Sequence, residues 1–247
     1  MCNAKVKENG PRSQRSHLKF DNIPVGRYVV GMSSRLIQAK PANARSKLLD
    51  AATALVRQKG YAATSIDDLC KSAGVTKGAF FHHFPTKEAL AVAGAEAWTE
   101  HARTRIFTGA PWQQIEDPLE RLLAHIDFRL AMIDGPVEGF TCLVGTMVQE
   151  AFATNDNIRA ACDASITAYA ERLAEDIQPA IDTYGIRDGV TALGLAYHIQ
   201  AVLQGAFILA KSKGDPAIAR GTVIHLKRYV QMLFGVSDRG KKQWKPL

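Results

Sequence analysis

Hydrophobic residues recur at helical spacing along almost the whole chain from residue 42 to residue 234, which is the strongest local signal for amphipathic helices. Alternating apolar and polar runs of strand length do not occur in the sequence, so no sheet is expected. We therefore predict an all-α fold of about nine helices. The predicted helices cover residues 42–59, 66–73, 76–84, 86–107, 118–133, 139–154, 157–184, 190–211 and 216–234.

Two short helices stand near the start of this series. Ser65 and Asp68 have the spacing of a capping box, in which the hydroxyl accepts the amide three residues on and the carboxylate reaches back. Gly74 allows a tight turn because glycine takes a positive φ without a steric cost. Thr76 is the N-cap of the next helix, and Pro85 ends it. Two short helices joined by such a turn have the dimensions of a helix-turn-helix, although many helical bundles share this pattern.

The segment over residues 44–93 resembles the N-terminal signature of the TetR family along nearly its whole length. The matching elements are AA…L…KGY, the Thr64-Ser65 pair, AGV-T-KG, the aromatic pair before HHF, and the KEAL that begins the fourth helix. Farther along, TCLVGTMVQEAF is similar to the Cys-Leu-hydrophobic-Gly helix of one large subgroup, and LQGAFILAKSKGDP to its interface helix. The resemblance implies a DNA-binding transcriptional regulator with a three-helix N-terminal head and a helical ligand-binding and dimerisation domain.

The same resemblance divides the chain into four parts. We expect a basic, disordered extension over residues 1–41 and a helix-turn-helix DNA-binding domain over 42–102, with the motif itself at 65–84. A helical ligand-binding and dimerisation domain follows over 103–236, and a basic tail over 237–247.

Positive charge is concentrated at the N-terminus. Residues 1–40 carry eight Lys or Arg against two acidic residues, whereas the remaining 207 balance to +1 of the net +7. A basic arm beside a DNA-binding head would attract phosphates regardless of base sequence; the alternative is a solvated leader without a role. A third hypothesis is that translation begins at Met32, which would make residues 1–31 an artefact of start-codon choice.

The resemblance implies that the third helix lies in the major groove of DNA while its neighbours anchor on phosphates. Lys77 is the one long donor at the start of this helix, suited to a guanine edge or a phosphate, and the Ala79 methyl can meet a thymine methyl. Phe80 and Phe84 are expected in the core. The expected DNA contacts are Thr64, Ser65, Lys77, Gly78, Ala79, Phe81, His82, His83 and Lys87.

One residue departs from the family pattern. Position 81 is Phe, where the family usually has Tyr. The ring can still pack against a sugar or a base, but the phenolic hydroxyl that would donate to a phosphate is missing. Operator binding is therefore expected to strengthen on Phe81→Tyr.

A single short helix gives little affinity, so such heads act as symmetric pairs on palindromic sites about one turn (~34–36 Å) apart. By resemblance, the last two helices form the homodimer interface as a four-helix bundle. The alternative is that their apolar faces complete the core of the monomer. The expected interface residues are Leu203, Gly205, Ala206, Phe207, Ile224, Tyr229, Met232 and Leu233.

The central helices are expected to enclose a pocket for an unknown small-molecule effector. Mostly apolar walls with a few polar groups are typical of such pockets. A ligand that prefers the DNA-incompetent arrangement of the heads would release the operator, and most relatives repress in this way while some activate. The candidate lining residues are His125, Phe128, Met132, Cys142, Met147, Gln149, Tyr169 and His198.

Several other classes of protein are disfavoured. The sequence contains no GxSxG, Walker A, GxGxxG, HExxH or CxxC, so we expect neither an enzyme nor a cofactor. Adjacent His82 and His83 diverge on a helix, so no metal site is expected. The apolar runs predict neither a membrane span nor a signal peptide, which places the chain in the cytoplasm, on the nucleoid when bound to DNA.

Two alternatives share the same head. One is a TetR-like DNA binder without a small-molecule ligand, which is architectural or regulated by a protein partner. The other is a regulator that senses redox state through Cys142 or Cys162. The four cysteines lie far apart in the sequence, and in a reducing compartment such residues are usually small buried hydrophobes.

Overall fold

The structure, a computed structural model, describes residues 43–186 and 189–236. These two ranges form ten helices and contain no β-strand, which confirms the all-α prediction. A π-helical turn (Arg103–Phe107) and a 3-10 turn (Pro111–Gln114) connect the fourth helix to the fifth. The helices are α1 (Ala44–Lys59), α2 (Ile66–Ala73), α3 (Lys77–His83), α4 (Lys87–Ala102), α5 (Pro118–Ala131), α6 (Val137–Phe140), α7 (Leu143–Ala151), α8 (Asp156–Tyr184), α9 (Ala192–Lys213) and α10 (Pro216–Leu233).

The caps of the two short helices form as the sequence predicts. The Ser65 hydroxyl accepts the Asp68 amide at 3.1 Å, and the Asp68 carboxylate accepts the Ser65 amide at 2.9 Å. Gly74 has φ +64° and ends α2 in the left-handed region, where a branched residue would be strained. The Thr76 hydroxyl accepts the Ala79 amide at 3.1 Å and starts α3. Local chemistry therefore fixes the turn between α2 and α3.

The prediction of one helix over 139–154 is wrong. The backbone is extended at Thr141 and Cys142, which separates the four-residue α6 from α7. The Cys142 sulfur accepts the Gly145 amide at 3.4 Å and serves as the N-cap of α7. Cysteine is not among the usual N-cap residues, so the sequence carried no obvious signal for this break.

The head packs around one aromatic ring. Phe80 has no exposed surface and lies in a core that α1 to α4 build together, and Phe84 is also buried there. Their prediction as core residues is confirmed. The other buried members of this core are Leu48, Leu49, Ala51, Ala52, Leu69, Cys70 and Leu90.

A second core joins the head, which comprises α1 to α4, to the body, which comprises α5 to α10. It combines Val56 of α1 and Ala95 of α4 with Leu143, Met147 and Ile158 from α7 and α8. In addition, the Glu150 carboxylate of α7 accepts the backbone amides of residues 61 and 62, at 3.2 and 2.7 Å. Because close-packed interiors transmit displacement, a shift of α7 or α8 reaches the head.

The largest core lies in the body, where α8 and α9 pack together and α10 packs on α9 and α5. Among the described helices, α9 alone has the length and apolar composition of a membrane span, which is weak evidence for a single helix. It packs against both α8 and α10. The predictions for 1–41 and 237–247, including the start at Met32, lie outside the described residues.

Candidate DNA-binding surface and ligand cavity

The exposed side of α3 is formed by residues predicted to contact DNA. Lys77, Gly78 and His82 are exposed, and the Phe81 ring is 51% exposed although it is large and apolar. Ala79 and His83 are half-buried at the edge of this face. The adjacent Phe80 packs into the core of the head. One side of α3 therefore anchors the helix, and the opposite side is exposed to solvent.

Lys77 is partly engaged within the head. Its ammonium lies 2.7 Å from the Asp67 carboxylate of α2, with both side chains well exposed. The hydrogen bond from Lys77 to Asp67 raises the pKa of the lysine. An exposed pair of this kind contributes little, so Lys77 can exchange Asp67 for another acceptor.

No contact within the head requires a glycine at position 78. A Cβ added there would meet only the Thr76 hydroxyl, at 3.8 Å, which is an ordinary contact. The head itself therefore accommodates a larger side chain at this position.

Thr64 and Ser65, both predicted phosphate contacts, make hydrogen bonds within the head; Thr64 is buried, whereas Ser65 is exposed. Thr64 is 1% exposed, and its hydroxyl donates to the Gly60 carbonyl at 2.7 Å. The Ser65 amide and hydroxyl both donate to Asp68, which also accepts Lys59 at 2.7 Å. Lys59 and Ser65 hold the pKa of the Asp68 carboxyl far below its usual value. These donors stabilise the start of α2.

Lys87 is likewise used inside the head. Its ammonium donates to the carbonyls of Tyr61 and Thr64, at 3.1 and 3.0 Å, and lies 4.3 Å from the centre of the Tyr61 ring. Burial lowers the pKa of this lysine. Lys87 therefore braces the loop between α1 and α2, and a phosphate contact would require it to leave two carbonyls.

A cavity of about 260 Å³ lies where the head meets the body. Three of the predicted pocket residues, Met132, Cys142 and Tyr169, line it. The part of the wall that the head provides was not predicted, because no local sequence pattern indicates that helices of the head reach the cavity. That wall consists of Arg57 from α1 and Trp98, Thr99, His101 and Ala102 from α4.

The other predicted pocket residues lie elsewhere. Phe128 packs on Trp112 with ring centres 4.6 Å apart, and Met147 is buried in the core that joins head and body. Gln149 is exposed and donates to the Gly145 carbonyl of its own helix at 2.6 Å. His198 is exposed on α9, where it packs against Tyr229 of α10. Apolar spacing alone did not show which side of each helix faces the cavity.

His125 lies directly behind the cavity wall. It is 1% exposed, its ring packs against Phe107 and Trp112, and its Nε2 lies 3.1 Å from the hydroxyl of the cavity-lining Tyr169. Burial, together with the charges of nearby arginines, lowers the pKa of His125 to about 3. The imidazole is therefore neutral at physiological pH and orients Tyr169 through a hydrogen bond.

Acidification is expected to destabilise the protein through His125. Below about pH 6.5 the unfolded chain binds a proton that the folded chain excludes down to about pH 3, so stability falls as pH falls through this window. The expected loss from this group between about pH 7.5 and pH 5 is about 2 kcal/mol. Urea unfolding at both pH values should show this loss reduced in His125→Gln. Tyr169→Phe, which keeps the histidine, should retain it; equal pH dependence in all three proteins would contradict the assignment.

The last two helices present an apolar outer face. Tyr229 and Met232 of α10, both predicted in the interface, are exposed, and Gly205, Ile224 and Leu233 are half-buried. The prediction missed the exposed apolar residues of α9, which are Leu193, Tyr197, Ile208 and Leu209. We call these four residues together with Tyr229 and Met232 the outer face.

Three predicted interface residues belong instead to the interior. Leu203 and Phe207 are buried and line the cavity, and Ala206 has no exposed surface. They occupy the side of α9 opposite the outer face, against the core of the body. These three side chains therefore contribute to the core of the monomer.

A helix-turn-helix with a free recognition face, joined through a shared core to a helical body with a cavity, is the architecture of a DNA-binding transcriptional regulator. The family model for bacterial regulatory proteins of the tetR family matches residues 48–93, and the model of the tetracyclin repressor-like C-terminal domain matches residues 118–226. Together they cover more than half of the chain, which belongs to the TetR family. Members of this family regulate transcription and are not enzymes; they bind DNA and act as dimers.

Curated relatives are regulators of the helix-turn-helix type. An uncharacterised transcriptional regulator in the lacX 3′ region of Lactococcus lactis is 25% identical over 70% of this chain and 86% of the relative. The transcriptional regulator AcuR of Cereibacter sphaeroides is 31% identical over 53% of this chain and 60% of the relative. The transcriptional regulator LmrA of Bacillus subtilis is 27% identical over 55% of this chain and 72% of the relative.

Solved structures share the fold along most of the chain. The regulatory protein TetR from Rhodobacter sphaeroides superposes with a TM-score of 0.67 and 25% identity, over 76% of this chain and 99% of the other. A TetR transcriptional regulator from Chloroflexus aurantiacus superposes with a TM-score of 0.65 and 28% identity, over 76% of this chain and 94% of the other.

Proposed function

We propose that the chain is a repressor that binds a palindromic operator as a homodimer and is released from it by a small molecule. The observation that carries this proposal is the shared wall of the cavity. Arg57, Trp98 and His101 belong to helices of the head and line the space that the body encloses. A ligand there touches the head directly. The chain would act in the cytoplasm, where its operator lies.

The proposed readout uses the outer side of α3. A helix in the major groove contacts base edges through residues near its N-terminus, which here are Lys77, Gly78 and Ala79. Because the head tolerates a side chain at 78, the absence of one suits close approach of the DNA. Phe81, His82 and His83 extend the contact toward the sugar-phosphate backbone.

The proposed dimer joins two outer faces. An exposed apolar patch on two adjacent helices is a typical protein–protein surface, and a symmetric pair buries the same patch on both subunits. This arrangement also explains why α9 is apolar on two sides: one side lines the cavity and the other faces the partner copy.

The proposed release works through the core that joins head and body. Ligand binding that favours one arrangement of α4 against α7 and α8 changes the spacing of the two heads in a dimer. A coupling of ~1–3 kcal/mol gives about 5–150-fold weaker operator binding. The Glu150 contacts with the loop between α1 and α2 make that loop follow α7.

Selection of bound sequences from a random DNA pool at stated salt tests the proposal. We expect a palindrome with half-sites about one helical turn apart, which then serves as the probe for release by ligands. If only salt-sensitive, sequence-indifferent binding is recovered, the operator proposal is wrong and the architectural alternative is favoured.

Phe81→Tyr is expected to strengthen operator binding by about 0.5–1.5 kcal/mol, the net value of one added hydrogen bond. The side chain is already exposed on α3, so the new hydroxyl requires no repacking. A titration of both proteins at one salt concentration measures the gain. Unchanged or weaker binding would count against contact of residue 81 with the backbone.

Thiol sensing is a second candidate, favoured by one observation: Cys142 lines the cavity. Cys162 is a poor sensor because burial raises its pKa to about 12, which leaves almost no thiolate. Peroxide-dependent loss of operator binding that Cys142→Ser abolishes would establish this route. The ligand proposal expects no such dependence.

A further inference from the structure

The wall of the cavity carries several positive charges and, among the described residues, no acidic side chain. Five arginines contribute to its wall: Arg57, Arg103, Arg105, Arg129 and Arg172. None of the described residues that line it is Asp or Glu. A cavity with this composition repels cations and attracts anions.

Two of these arginines already have acidic partners outside the wall. Arg103 forms a two-pronged hydrogen bond with Glu100 at 2.7 and 2.8 Å. Arg172 lies 3.1 Å from the Asp176 carboxylate and 3.4 Å from that of Glu175. Nearby carboxylates therefore balance both charges, although the buried Nη1 of Arg172 makes no hydrogen bond.

Arg57 and Arg129 are different. Both are half-buried, and in the described part of the chain neither has an ion pair. Each guanidinium lies over an aromatic ring of the wall, Arg57 at 5.3 Å from Trp98 and Arg129 at 5.7 Å from Tyr169. The Nε of each is buried without a hydrogen-bond partner. A buried donor without an acceptor is costly, so both are ready to pair with an incoming anion.

The charges around Arg57 do not supply that anion. Burial lowers the pKa of Arg57; Cys142 raises it, Arg105 lowers it further, and Glu138 makes the smallest contribution, which raises it. Glu138 forms no ion pair with it among the described residues. Burial lowers the pKa of Lys211, and the nearby charge of Arg57 lowers it further.

The rest of the wall suits an apolar body of limited size. Trp98, Phe107, Phe140, Tyr169 and Phe207 provide aromatic surface. The volume of about 260 Å³ equals about nine water molecules, which is room for a single ring or a short alkyl chain. Aromatic and apolar walls with a few charged groups are typical of selective small-molecule sites.

We propose that this cavity binds a small organic carboxylate, with its charged group paired to Arg57 and Arg129 and its apolar body against the aromatic wall. Arginine pairs with planar carboxylates through parallel hydrogen bonds. Arg57 follows Val56, a member of the core that joins head and body, so the carboxylate contacts α1 of the head. The effect on DNA binding rests on the proposed function; the carboxylate site itself does not.

Titration of the purified full chain with matched probes tests the site. The pairs are benzoate with benzamide and hexanoate with hexanamide, which differ in charge and little in shape; calorimetry and tryptophan fluorescence report binding. We expect at least one carboxylate to bind about tenfold or more tightly than its amide, the equivalent of one charge-assisted hydrogen bond. Equal affinities within both pairs, or no binding by either carboxylate, would overturn the proposal.

Variants locate the charge that matters. Arg57→Gln and Arg129→Gln should each remove most of the preference for carboxylate over amide, and Arg57→Lys should retain part of it. Arg103→Gln is the matched control, since this arginine lines the same cavity but is already paired with Glu100. An equal loss in the control would overturn the assignment to Arg57 and Arg129. Thermal unfolding of each variant verifies the fold.

Operator release separates this inference from the proposed function. A carboxylate that binds tightly but leaves the operator complex intact supports the anion site and contradicts the ligand-released repressor. Release by the amides as strongly as by the carboxylates supports the repressor and overturns the anion site.

Discussion

The chain with Ile208→Glu is expected to be a folded monomer that has lost operator binding. Ile208 is 47% exposed near the C-terminal end of the outer face on α9, so a carboxylate there meets water in the monomer. In the proposed dimer it becomes buried. Glu is also a better helix former than Ile, which leaves no reason for α9 itself to weaken.

The expected effect is large because the interface is symmetric. One substitution places two carboxylates in the same buried patch, one from each subunit. An uncompensated buried charge costs about 3 kcal/mol or more, which weakens dimerisation about a hundredfold or more. A lone head then contacts one half-site and loses the affinity that depends on two.

Sedimentation measures the assembly, and titration with the selected operator measures binding. Phe152→Glu is the matched control, because Phe152 is 60% exposed at the end of α7, outside the outer face. The control should remain a dimer and bind the operator as before. A dimeric Ile208→Glu protein would show that the outer face is not the interface.

The sequence predicts well where structure is decided by neighbours along the chain. The capping box at Ser65, the left-handed Gly74 and the cap at Thr76 each involve residues within five positions, and all were correctly predicted. The inner position of Phe80 follows from the same helical phase. The exposed side of α3, which we propose contacts DNA, could therefore be outlined from the sequence.

The sequence predicts poorly where a helix has two apolar sides. On α9, Leu203 and Phe207 face the cavity while Ile208 and Leu209 face outward, and periodicity alone does not say which side meets a partner. The predicted interface therefore mixed both sides. Only the packing of α9 against α8 and α10 separates them.

Contacts between residues far apart in the sequence account for the other differences between the predicted and the observed positions of site residues. Lys87 donates to carbonyls 26 and 23 residues away, and these contacts leave no trace in the local pattern of charge. Arg57 belongs to the first helix of the head and is absent from the predicted pocket residues, yet it lines the cavity. The proposed coupling between ligand and head therefore depends on residues that no motif identifies.

The two adjacent phenylalanines of α3 are expected to respond in opposite ways to alanine. Phe80 has no exposed surface and is central to the head core, so Phe80→Ala should destabilise the head by about 3–5 kcal/mol through lost burial and a cavity. That is a large share of the roughly 5–15 kcal/mol that stabilises a typical native protein. Phe81 is half exposed, and Phe81→Ala should change stability by no more than about 0.5 kcal/mol.

Operator binding adds a second readout to this pair. The head of Phe80→Ala should exchange its amide hydrogens faster while α8 to α10 stay protected, since the body has its own core. Phe81→Ala should keep the native exchange pattern and still bind the operator more weakly, because it removes a ring from the face turned toward DNA. Urea unfolding, hydrogen exchange and operator titration of both variants measure these effects. Native-like stability in Phe80→Ala would contradict its place in the head core, and undiminished operator binding in Phe81→Ala would remove residue 81 from the DNA interface.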